Sequence, residues 1–234
     1  MPRSSIHPLD YQPTQRQYHV KGGVAACLTL DNGAAFVVLR ATIFYPLILS
    51  KALVYPPRWR GQDCSFCENA GDALSVLSQV VAELEARKTR FAAAGVAHGT
   101  SCSSLDDYNR LSPDAPLRRI VVAVDEIAEL TDTSGASKPE KEQIAAIIGK
   151  LSTIARLGRA FGITLLIGTQ RPDANAVPGQ IKNNLDYRVC GKADNTLSII
   201  ILDSADAADL IPKDSQGLFL NHEGVLFRGY LYRT

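Results

Sequence analysis

Two short apolar runs, Ile120-Val121-Val122-Ala123-Val124 and Ile163-Thr164-Leu165-Leu166-Ile167-Gly168, flank a long stretch of helical periodicity. Neither run alternates apolar with polar positions, so each predicts a strand buried on both faces, as in a parallel sheet covered by helices. Between them Ile144, Ile147, Ile148, Leu151, Ile154, Ala155 and Phe161 repeat at helical spacing. Ser137 with Glu140 three residues on, and Pro139 in the first turn, mark the start of this helix. Gly162 offers it a left-handed stop. Strand, helix and strand make a βαβ unit, whose right-handed crossover leaves both strands pointing the same way. Asp125 and Glu126 after the first strand, and Gln170 after the second, are therefore expected at one carboxyl edge, where open α/β sheets bind ligands.

The residue types at that edge suit phosphate chemistry. A carboxylate closing a buried strand can hold Mg²⁺ through water, and a second one beside it can polarise an attacking water. An amide on the neighbouring strand end can donate to a phosphate oxygen and accept from that water. The plain alternative is a polar strand end that opens a loop, and the pattern by itself is short.

The rest of the chain supplies further elements. Residues 1–22 hold three prolines and scattered Arg3, Arg16 and Lys21, and read as a tail. Residues 24–28 predict a strand, 37–45 a helix and 52–55 another strand, which Pro56-Pro57 ends because two prolines cannot continue a central strand. A helix is expected from Gly71 to Gly95, with Leu74, Leu77, Val81 and Leu84 on its apolar face. Glu83, Glu85, Arg87, Lys88 and Arg90 then form a solvated face. Residues 98–116, rich in Ser, Asp and Pro, read as a surface loop. Leu218-Phe219-Leu220, the turn Asn221-His222-Glu223-Gly224 and residues 225–232 predict a C-terminal β-hairpin, with His222 a turn residue.

Composition narrows the class. A chain of 234 residues with 46% hydrophobic and 21% charged residues fits one globular α/β domain. Its net charge of +1 gives no global basic field, so any nucleic-acid contact must come from a local patch. The most apolar segment, 34–55, carries Arg40 and Lys51, and its uncharged run of 41–50 is about half of what a bilayer crossing needs. The expected location is cytoplasmic. Cys27, Cys64, Cys67, Cys102 and Cys190 are an odd set and read as free thiols. Cys64 and Cys67 have metal-ligand spacing, to which Cys102 or His98 could add, but no second such pair exists.

The run IVVAVDEIAEL, followed by LGRAFGITLLIGTQRPDANAVPGQIKNNLDYRV and ILDSADAADLIPKDSQGLFL, resembles the motor domain of the FtsK/SpoIIIE family of DNA translocases. It is also similar to their relatives, the coupling ATPases of Gram-positive conjugative elements. The likeness runs in motif order from about Gly61 to the C-terminus, and GRAFGI and TQRP are its most distinctive pieces. It implies an α/β fold of RecA-like P-loop NTPase type, with a mostly parallel central sheet flanked by helices, over residues 23–234. ATP and Mg²⁺ are the implied cofactors. The implied partners are double-stranded DNA and further copies in a hexameric ring, either homo-oligomeric or mixed with an intact paralogue, with a membrane-anchored partner also possible. By the same resemblance Asp125 is the Mg²⁺ ligand through water, and Glu126 and Gln170 are catalytic. Arg159 is a finger reaching a neighbour's γ-phosphate, for which the plain alternative is a helix-end arginine serving the macrodipole. Lys182 and Arg188 are the implied DNA phosphate contacts.

The N-terminal quarter departs from that family. Aligned on its flanks, the phosphate-binding loop falls on Thr29, Leu30, Asp31, Asn32, Gly33, Ala34, Ala35 and Phe36. Thr29 and Ala34 stand at glycine positions, Ala35 at the lysine and Phe36 at the Mg²⁺-ligating hydroxyl, so residues 23–60 form a degenerate P-loop region. Ile199 likewise stands at the arginine of the family's SRxILD segment. Two functions follow. One is a working ATP-driven DNA translocase domain; the other is an impaired motor-fold subunit that binds DNA or partners in a ring without hydrolysis.

Overall fold

The computed structural model describes residues 26–28, 46–49, 65–67, 69–124, 126–169 and 177–229. Its sheet orders eight strands as β3-β2-β4-β5-β1-β6-β7-β8. These are β1 (Ala26–Leu28), β2 (Pro46–Leu49), β3 (Ser65–Cys67), β4 (Ile120–Val124), β5 (Ile163–Gly168), β6 (Tyr187–Cys190), β7 (Leu218–Asn221) and β8 (Leu226–Arg228). The first six in that order run parallel. β7 adds antiparallel to β6, and β8 antiparallel to β7. The two apolar runs are thus neighbours in register, with Val122 level with Leu165 and Val124 with Ile167.

The helices are α1 (Ala70–His98), α2 (Leu105–Leu111), α3 (Ile127–Thr131), α4 (Lys138–Leu157), α5 (Gly179–Lys182), α6 (Asn195–Leu202) and α7 (Asp206–Leu210). α4 starts as its sequence predicts, with the backbone N–H and hydroxyl of Ser137 each donating to Glu140 Oε2 at 2.7 Å. It buries Ile147, Leu151 and Ile154 in a core shared with Leu77 and Leu84 of α1 and Val122, Ile163 and Leu165 of the sheet. None of the described helices is long and apolar enough to cross a membrane.

Several elements differ from the sequence reading. β4 pairs with Pro46–Leu49, a strand that the sequence reading does not assign, and the expected strand at 52–55 lies outside the described residues. Pro46 is tolerated because it is the first residue of its strand. The expected helix at 37–45 also lies outside the described residues. Cys67 ends the edge strand β3 as a buried free thiol, pushed up to about 11 by burial, with the charge of Asp72 adding to the rise. Among the described residues no cluster of His, Cys, Asp and Glu could hold a metal ion, and Cys64 is not among them.

α1 runs past Gly95 to a left-handed stop at Gly99, φ 58°. Gly95 serves packing instead, since a Cβ there would lie 2.9 Å from the Thr100 carbonyl oxygen. Arg87 is not on a solvated face. It is buried, with Nη1 donating to the Phe161 carbonyl at 2.7 Å, Nη2 to the Arg118 carbonyl at 2.8 Å and Nε to Glu83 at 2.8 Å. The stretch read as a loop contains α2, capped by Ser104, whose Tyr108 stacks on Phe91 at 5.1 Å between ring centres. α4 ends at Leu157, earlier than its apolar spacing suggests, because the chain folds tightly over Gly158. A Cβ there would lie 2.6 Å from the carbonyl oxygens of both Ile154 and Ile163. The left-handed residue is Gly162, φ 71°, which lies beyond the helix.

Candidate functional site at the carboxyl edge

Register places three strand ends side by side. Leu28 of β1 is level with Gly168 of β5, and Val124 of β4 lies between Leu49 of β2 and Ile167 of β5. The chain leaves β1 into residues 29–36, β4 into Asp125 and β5 into Thr169. Thr29 to Phe36, Asp125 and Gln170 themselves lie outside the described residues. Parallel pairing of β1, β4 and β5 puts these departures at one edge, as the βαβ argument requires.

Glu126 is described, and it links the strand ends. Its Oε1 accepts from the backbone N–H of Ala128 at 3.1 Å, capping α3, and from Thr169 Oγ1 at 2.8 Å. Thr169 is only 1% exposed. The bond therefore fixes the carboxylate against the end of the neighbouring strand, a charge-assisted contact of about 1.5–3 kcal/mol. Sequence reasoning singled out Glu126 and Gln170 but not Thr169. The available signal was its place before Gln170 in TQRP.

The three basic candidates are each engaged within the chain. Arg159, in the turn between α4 and β5, is 60% exposed, but its Nη1 donates to Asp186 Oδ2 at 2.6 Å. A free guanidinium held ready for a neighbouring subunit is thus not what the structure contains. Exposed pairs contribute roughly 0–1 kcal/mol, so this one opens at little cost. Lys182 and Arg188 do not form an open basic patch either. Both converge on Asp203, with Lys182 Nζ to Oδ1 at 2.6 Å and Arg188 Nη1 to Oδ2 at 2.5 Å. Lys182, and then Arg188, hold the Asp203 carboxyl below the usual carboxylate range. Arg188 also donates to the Ile201 carbonyl at 3.0 Å, satisfying the end of α6. Ile199, at the family's arginine position, is an exposed apolar residue.

The donors available for a nucleotide can be weighed against this edge. Residues 29–36, which follow β1, contain no lysine. Glu126 Oε1 is already an acceptor for two protein groups.

A mostly parallel sheet with helices between its strands and polar residues at its carboxyl edge is the architecture of P-loop ATPase motor domains. The conjugation coupling protein TcpA of pCW3, in a structure of its monomer form with ATPγS, matches with a TM-score of 0.70 and 30% identity over 79% of this chain and 51% of that one. The cytoplasmic domain of the type VII secretion ATPase EccC of Thermomonospora curvata shares the fold, with a TM-score of 0.59 at 20% identity over 88% of this chain and 25% of that one. In sequence, the chain is 33% identical over 140 residues to the DNA translocase FtsK of Chlorobaculum tepidum, a match that covers 59% of this chain and 16% of that protein. It is 33% identical over 159 residues to the DNA translocase SftA of Bacillus subtilis, covering 66% of this chain and 15% of that protein. No protein-family model matches. The chain thus carries a motor-type domain similar to those of the FtsK and SftA translocases, and it spans about a sixth of the length of these relatives.

Proposed function

We propose that the chain acts as a DNA translocase motor domain of FtsK/SpoIIIE type, with nucleotide at the carboxyl edge of β1, β4 and β5 and double-stranded DNA as substrate. The observation that carries this reading is the Thr169–Glu126 bond, which couples two strand ends beside the one that leads into residues 29–36. The similarity to proteins named DNA translocases, and to a coupling protein solved with ATPγS, supports the substrate and the nucleotide. In this reading Asp125 holds Mg²⁺ through water, Glu126 and Gln170 orient the attacking water, and copies assemble in a cytoplasmic hexameric ring. That ring is homo-oligomeric or shared with an intact paralogue, and a membrane-anchored partner can recruit it. Arg159 reaches a neighbour only after leaving Asp186.

A second reading is favoured by the residues at 29–36. Without the lysine, the hydroxyl and two glycines, the chain serves as a motor-fold ring subunit that binds DNA or partners and hydrolyses little. Equilibrium binding of Mg-ATP to the purified chain, with hydrolysis measured with and without duplex DNA, separates the two. The first reading expects nucleotide binding with DNA-stimulated turnover, and the second expects weak binding and little turnover. Robust DNA-stimulated hydrolysis would overturn the impaired reading, and a chain that binds neither nucleotide nor DNA would sink both.

A further inference from the structure

Asp203 is the one non-glycine residue with a left-handed backbone among the described residues, at φ 61°. It closes α6, its N–H donating to the Ile199 carbonyl at 3.0 Å. Aspartate tolerates this conformation, which costs bulkier side chains more. The carboxylate so placed meets two cations from separate elements, Lys182 at the end of α5 and Arg188 on β6.

The depths of the three groups are unequal. The lysine and arginine are 21% and 19% exposed, whereas the carboxylate is 60% exposed. The cations sit on a helix and an inner strand, and Arg188 is further tied to the Ile201 carbonyl. Asp203 sits on the connection between α6 and α7 and lies outermost. An anion arriving from solvent meets the carboxylate first, and reaches the cations by displacing it without opening the core. Two cations converging on one point suit a phosphate oxyanion, since lysine supplies a point charge and the guanidinium directed N–H donors.

We propose that Lys182 and Arg188 form a phosphate-oxyanion site gated by Asp203, whose carboxylate occupies the place that a phosphate takes. The source of that phosphate, the backbone of duplex DNA, rests on the translocase reading above; the gate itself does not. Asp203 keeps the site closed in the free chain, so that contact is made only where a phosphate is presented strongly enough to displace it.

The test uses the full chain with Asp203→Asn and Asp203→Gly, two residues that also accept the left-handed backbone and lack the charge. Binding of a short mixed-sequence duplex is followed by fluorescence anisotropy, and binding of inorganic phosphate by calorimetry. Both variants are expected to bind the duplex about tenfold more tightly, the scale of one charge-assisted contact. The plot of log affinity against log salt should steepen by about one, at roughly 0.9 for the one phosphate contacted. Adding Lys182→Met to Asp203→Asn should remove about half of that steepening. Folded variants that bind both duplex and phosphate no better than the unmodified chain would overturn the gate, even if that chain binds DNA. Tighter phosphate binding without tighter duplex binding would keep the gate and overturn DNA as the source. Should both variants fail to fold, titration of the unmodified chain with the duplex at low salt still decides. Shifts in the Lys182 and Arg188 side-chain NMR signals on duplex binding support the site, and a bound duplex that leaves both signals unmoved overturns it.

Discussion

Arg87 and Thr169 show how much single polar residues hold in this molecule. Arg87 satisfies the Phe161 and Arg118 carbonyls, next to the starts of β5 and β4. Arg87→Met should leave those acceptors unpaired and cost about 3 kcal/mol in urea unfolding, with Arg87→Lys intermediate because it lacks the fork. At the opposite end of the same strands, Thr169→Val keeps the shape and removes the donor to Glu126. It should lower stability by about 1.5–3 kcal/mol, whereas Thr169→Ser should stay near the unmodified chain; thermal unfolding compares them. A Thr169→Val chain as stable as the original would show that the bond to Glu126 contributes little.

Among the elements, α4 carries two opposed glycines. Gly149 has nothing within 4 Å of where a Cβ would stand, and it is mid-helix, so Gly149→Ala should stabilise by about 0.5–1 kcal/mol. Gly158→Ala meets two carbonyl oxygens at 2.6 Å and should destabilise by about 1–3 kcal/mol. Denaturant midpoints of the pair give the contrast directly. The start of the helix should respond to acid. The Ser137 hydroxyl, and then its backbone N–H, hold the Glu140 carboxyl below its ordinary value. A group depressed on folding contributes stability that is present above its unfolded value and lost as pH falls through the folded one. The protection of amides in the first turn of α4, taken relative to their intrinsic exchange at each pH, should therefore fall as the pH drops below the usual carboxylate range. Glu140→Gln should remove that acid-dependent change, and a profile unaltered by it would exclude the capping box as its source.

At the scale of the whole molecule, the sheet brings the end of β1, which leads into residues 29–36, to the edge that Glu126 and Thr169 complete. Substituting Thr29→Gly, Ala34→Gly, Ala35→Lys and Phe36→Ser together restores the charge, the hydroxyl and the close backbone approach. Regaining two or three charge-assisted contacts should tighten Mg-ATP binding by about two to four powers of ten, as calorimetry would measure. Glu126→Gln in that background should keep binding and abolish turnover. A rebuilt loop without nucleotide affinity would show that the chain after residue 36 has also left the motor geometry.

Features that depend on neighbours along the chain are legible in the residues themselves. β4 and β5 follow from short runs without apolar–polar alternation, and α4 from its periodicity and its Ser137–Glu140 box. The sequence also carried the likeness to the translocases, because GRAFGI and TQRP are local strings. Which side chains find one another depends on how distant segments pack. Arg87 turns inward because carbonyls 31 and 74 positions away need its donors. Arg159 is engaged by Asp186, and Lys182 and Arg188 by Asp203, across 27, 21 and 15 positions. Pro46–Leu49 pairs with β4 although no periodicity of its own marks it as a strand. Charge and periodicity are written residue by residue, but a hydrogen-bond partner is chosen only once distant segments have packed.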